Sequence, residues 1–167
     1  MSEAARQYLD EHEDDHLEDL FSLLSQPSIS ATGEGVEECV DLVQALCTEY
    51  GFDDTFRVET PGQPSVIARA ESGQEGAPTI FVYGHYDVQP ADPENWTSPP
   101  FEPTIREGPD GRERIYARGA GDNKGQWFSH LRAVNALRET TGLPANVTLL
   151  LEGEEEKRYW VDKVISR

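Results

Sequence analysis

Side chains able to do metal or acid–base chemistry gather at three places in this 167-residue chain. His85 and Asp87 stand two apart in residues 79–90, TIFVYGHYDVQP. Asp122 lies in residues 119–125, GAGDNKG, and Glu155 and Glu156 close the run EGEEE at 152–156. An imidazole with several carboxylates is a zinc-type or mixed divalent donor set. Asp87 is placed to fix the tautomer or orientation of His85. A carboxylate at Asp122, flanked by small residues, can bridge two cations. Of two adjacent glutamates, one can bind metal while its neighbour faces a water as a general base. Each cluster alone has a plainer explanation. H-x-D at a strand end is more often ordinary polarity, and EGEEE in an acidic chain is more often a solvated turn. What favours chemistry is that all three recur in similar settings. So many like charges in one place would repel unless cations neutralised them.

The surrounding pattern supplies those settings. Residues 79–83 form an apolar run, TIFVY, and 146–151 another, NVTLLL. Both read as buried strands of an α/β sheet, whose functional groups sit just past the strands' carboxyl ends. A helix is expected over 123–140, with Asp122 at its N-cap and Trp127, Phe128, Leu131, Val134 and Leu137 on its core face. Earlier, one amphipathic helix is expected over 3–25, ended by Pro27, and a second over 34–50, ended by Gly51. Strands are expected over 52–59 and 65–71, with a short one over 115–118 leading into GAGDNKG. The proline-rich stretch 89–114 reads as a long irregular segment, either packed near the site through Trp96 and Phe101 or a surface excursion anchored by those two aromatics. His12 and His16 share a helix face at a metal-binding spacing, but solvated surface is the better reading. His130 reads as a packed or capping histidine.

Composition excludes several classes. With 32 Asp+Glu against 14 Lys+Arg, the net charge is −18. Neither nucleic acid nor an anionic membrane is an expected partner. No apolar run approaches spanning length, and the N-terminus lacks a signal peptide's pattern. Cys39 and Cys47, eight positions apart on a helix, would lie ~12 Å apart, too far for a disulfide. Buried thiols suit a reducing compartment, so a cytoplasmic location is expected. GAGDNKG has neither dinucleotide-fingerprint spacing nor the Lys-Ser/Thr end of a P-loop, and its aspartate would repel phosphate. H-E-x-x-H is absent.

Taken together, GHYDVQP, RGAGDNKG and EGEEE, in that order and with WTSPPFEP between the first two, resemble the M20 family of metallopeptidases and deacylases. The nearest likeness is to its dipeptidase, carnosinase-like branch, over about residues 5–156. The resemblance implies a three-layer α/β/α zinc-exopeptidase-like catalytic domain and a site of two zinc ions, with manganese or cobalt as possible replacements. It implies that His85 binds one metal, Asp122 bridges both and Glu156 binds the second. Asp87 would orient the site and Glu155 would be the general base. The implied substrates are dipeptides or small peptides, or N-acyl amino acids for a deacylase of the same family. A non-catalytic relic fragment is the reading from a different class.

Departures from the family pattern qualify those expectations. After Glu156 the chain reads KRYW and stops at Arg167, where the family continues with a small Gly-Ser-type segment. Another carboxylate ligand, a second histidine ligand and the lid domain have no candidates. The chain is therefore expected to be the N-terminal part of a catalytic domain (1–156) with an atypical tail (157–167). Weak metal binding and little turnover are expected, and a homodimer only where the lid domain is present.

Overall fold

A computed structural model describes residues 2–157, so the expected tail from residue 158 onward lies outside the described residues. The chain opens with α1 (Glu3–Glu11) and α2 (Glu13–Ser25), followed by α3 (Val36–Glu49). Two strands come next, β1 (Asp54–Val58) and β2 (Ser65–Ala70), and then β3 (Thr79–His85). A hairpin of β4 (Thr104–Glu107) and β5 (Glu113–Tyr116) precedes α4 (Lys124–Glu139) and β6 (Asn146–Glu152).

The sheet order is β1-β2-β6-β3, with β3 parallel to β6 and the other pairs antiparallel. Parallel neighbours need a long crossover, and α4 supplies it. Helices α3 and α4 cover one face of the sheet. Val66, Ala68, Ala70, Val147, Leu149 and Leu151 alternate inward on β2 and β6 and meet Val40, Val43, Trp127 and Leu131 in the core. This is the period-2 and period-3.6 patterning of the sequence made physical. The mixed α/β fold is as expected. The described residues form the sheet and one helical layer, and the second layer of a three-layer domain is not among them.

Several local expectations are corrected. The single helix over 3–25 is two, broken at His12, whose backbone leaves helical geometry (φ −113°, ψ 21°). Its Nδ1 lies 2.9 Å from the Tyr8 carbonyl, and Glu13, Asp14 and Asp15 then favour a fresh helix N-terminus. β3 is not buried. Among the described residues it is an edge strand, and Ile80, Phe81 and Tyr83 are 52%, 62% and 51% exposed. An apolar run reports hydrophobicity but not which neighbours are there to cover it. Residues 89–114 are not irregular throughout, because TIRE and ERIY pair as a hairpin around the turn at Gly108–Gly111. Trp96 lies under the Arg118 guanidinium at 5.2 Å, so it anchors this segment to the loop before α4. His16 is buried, not solvated. Its ring sits beside Tyr8 and Tyr50, and Arg132 Nε donates to its Nδ1 at 3.2 Å. His130 is exposed instead of packed. Cys39 and Cys47 are buried free thiols, the latter pushed up to about 12 by burial. No described helix is long and apolar enough to cross a membrane.

Candidate metal centre

Topology does the gathering. β3 and β6 run parallel and end level, with His85 paired to Glu152. The chain leaving β6 therefore carries Glu155 and Glu156 across the end of β3. Because α4 returns the chain to the start of β6, its N-terminus lies at the same edge and brings Asp122 with it.

All five expected residues are brought together. His85 Nε2 lies 3.1 Å from Asp122 Oδ1 and 4.0 Å from Glu155 Oε2. One donor atom from each of His85, Glu155 and Glu156 falls within 4.8 Å of the others. On the other side of the ring, His85 Nδ1 faces the Asp87 carbonyl at 3.0 Å and Oδ1 at 3.4 Å. Asp87 is fully buried. Its two carboxylate oxygens accept the backbone N–H groups of Glu155 (3.2 Å) and Glu156 (3.1 Å). One aspartate thus ties the imidazole to the glutamate pair. Asp122, by contrast, has a side chain 79% exposed, open to solvent above the ring. It precedes the N-cap, which is Asn123, a correction of one residue.

Four residues at the site carried no expected role there. Asn123 Oδ1 accepts the His85 backbone N–H at 2.9 Å, and Trp127 Nε1 donates to the His85 carbonyl at 3.0 Å. The N-cap and first turn of α4 therefore hold both backbone polar groups of His85. Lys124 is fully buried and donates to the carbonyls of Leu23 (3.1 Å) and Gln26 (2.7 Å), tying α4 to the end of α2. Gln89 donates to Glu156. Asn123, Lys124 and Gln89 stood inside motifs quoted for their neighbours, which was the available signal. Trp127 looked like core alone.

Burial and charge together set the protonation of the cluster. Burial alone would drive the proton off His85, but hydrogen bonds and charge from Asp87, helped by Asp122, hold its pKa at about 9. Burial pushes the Glu156 carboxyl up, the Gln89 hydrogen bond and the His85 charge pull it partly back, and Asp122 and Asp87 add to the rise. For His85 the folded value exceeds the ordinary 6.5, so its stabilising contribution is fully present below pH 6.5. That contribution is lost as the pH rises through about 9. Metal-free protein should lose up to about 3 kcal/mol across that window. Urea unfolding in chelator at several pH values checks this, and a flat profile would contradict it.

The donor set fits divalent cations. Atoms bound to one zinc ion at about 2.0–2.2 Å lie roughly 3.3 Å apart. The 3.1 Å separation of His85 Nε2 from Asp122 Oδ1 is close to that spacing. The His85 imidazole and the carboxylates of Asp122 and Glu156 are also the donor types such ions take.

The model of "Peptidase family M20/M25/M40" matches residues 81–162, a span that contains every one of these residues. The chain belongs to the M20 family. It is 36% identical over 84% of its length to the cysteinylglycine-S-conjugate dipeptidase of Corynebacterium striatum, matching 30% of that protein. Among solved structures, an M20 family metallo-carboxypeptidase from Sulfolobus solfataricus shares 40% identity at a TM-score of 0.75. That match covers 84% of this chain and 31% of the other. Human carnosine dipeptidase 1 superimposes at a TM-score of 0.81 with 28% identity, over 93% of this chain and 35% of that one. The M20 chain described here thus spans about a third of the length of the relatives it matches.

Proposed function

We propose that this chain supplies the metal-binding edge of a hydrolase that cleaves the peptide bond of dipeptides. The observation that carries the proposal is the convergence of His85, Asp122, Glu155 and Glu156 at one sheet edge. Dipeptidases among the relatives support the choice of substrate. His85 and Glu156 would each hold one of two zinc ions, and Asp122 would bridge them. When bound, such ions polarise a carbonyl and make water acidic enough to attack it at neutral pH. Glu155, close to His85 Nε2 yet with a side chain 45% exposed, is placed to take a proton from water and later pass it to the leaving amine. Asp87 would touch neither water nor substrate. It holds the imidazole and the glutamate backbone in register.

The test is zinc-loaded protein offered Cys-Gly, β-Ala-His and an N-succinyl amino acid. The succinyl compound belongs there because desuccinylases also match this chain. Slow, zinc-dependent release of amino acids from the dipeptides is expected. Glu155→Gln should cut it about 100-fold or more while zinc stays bound. Cleavage of the succinyl compound alone, or no zinc uptake, would overturn the reading.

A further inference from the structure

We infer that Gln89 is a positioning residue for Glu156, fixing the carboxylate that the metal-site reading assigns to the second cation. The inference rests on that reading. Gln89 lies four residues past His85, on the segment leaving β3, and 67 positions from Glu156. Its Nε2 donates to Glu156 Oε2 at 2.7 Å and to the Glu156 carbonyl at 3.0 Å. A primary amide nitrogen has two hydrogens, and both are directed at this one residue. The Glu156 backbone N–H is already held by Asp87 Oδ2 at 3.1 Å. Glu156 is therefore fixed at its N–H, its carbonyl and one carboxylate oxygen, all from residues 87–89.

An amide is the group this position calls for. A carboxylate at 89 would face Glu156 with like charge, in a cluster that already holds Asp87, Asp122 and Glu155. An ammonium would neutralise Glu156 and compete with a cation for it. The neutral donor orients the carboxylate and leaves its charge for the metal. Groups that hold a ligand in this way commonly carry 10–100-fold in metal affinity.

Zinc affinity, measured by competition with a chromogenic chelator, tests this in two backgrounds. Gln89→Met, similar in length and without donors, should weaken zinc binding about 10-fold in the wild-type chain. Gln89→Glu should weaken it further. In a Glu156→Gln background the same Gln89→Met change should alter affinity less than about 2-fold, because the group being positioned is gone. A merely structural role would lower affinity equally in both backgrounds, and that result would overturn the inference. So would unchanged affinity in the wild-type background. A wild-type chain that takes up no zinc defeats the metal-site reading itself, and the inference falls with it. Zinc uptake that ignores Gln89 defeats the inference alone.

Discussion

Replacing Asp87 with asparagine should cost about 2–4 kcal/mol of stability and weaken zinc binding about 10–100-fold. The side chain is fully buried and its two oxygens accept the amides of Glu155 and Glu156. Asparagine keeps the shape but aims an NH2 group at one of those N–H donors, leaving a buried donor unsatisfied. Hydrogen bonds to a charged acceptor are worth about 1.5–3 kcal/mol each, more than neutral ones. The same change removes the main force keeping His85 protonated, so the alkaline loss of stability should shrink. Chemical denaturation of metal-free protein, paired with chelator competition, reads both effects. A variant within 0.5 kcal/mol of wild type, by the usual span for surface changes, would show that Asp87 does not join the two halves of the site.

The second large effect is expected at Gly153, between β6 and the glutamate pair. A methyl group there would sit 2.3 Å from the Pro64 carbonyl oxygen and 2.3 Å from the Tyr86 hydroxyl. Neither can yield: one is backbone, and the other belongs to a fully buried ring hydrogen-bonded to that same carbonyl at 2.6 Å. Gly153→Ala must push the chain outward two residues before Glu155. Overpacking of this kind costs about 1–3 kcal/mol, and here the displaced atoms carry donors, so zinc affinity should fall as well. Gly121→Ala is the contrast. It stands beside Asp122, yet nothing lies within 4 Å of its Cβ position and its φ is not in the left-handed region. It should leave stability within about 0.5 kcal/mol of wild type. Thermal melts of the two variants side by side decide the matter, and equal losses would refute the steric argument.

These contrasts mark what the sequence could convey. His85, Asp87, Asp122, Glu155 and Glu156 were legible because each stands where an apolar run ends or a helix begins. Residue type and position pointed the same way there. Gln89, Asn123 and Lys124 were not, because their partners lie 67, 38 and about 100 positions away and no local pattern encodes such pairings. The exposure of Phe81 and Tyr83 was hidden for a related reason. Hydrophobicity shows that a strand wants cover, while strand order decides whether it has it. Of the hairpin, β5 was partly legible as a strand over 115–118, but β4 was obscured by flanking prolines, which read as a loop although TIRE alternates acceptably. The break at His12 turns on one residue's backbone, well below what periodicity resolves.

The decisive question is whether His85, Asp122 and Glu156, from three separate segments, close around divalent cations. Anomalous diffraction at the zinc edge, on crystals grown with zinc, tests it most directly. A peak is expected within bonding distance, about 2.0–2.2 Å, of both His85 Nε2 and an Asp122 oxygen, with a second peak at Glu156. Zinc found only elsewhere on the acidic surface, with His85 still hydrogen-bonded to Asp122, would contradict it.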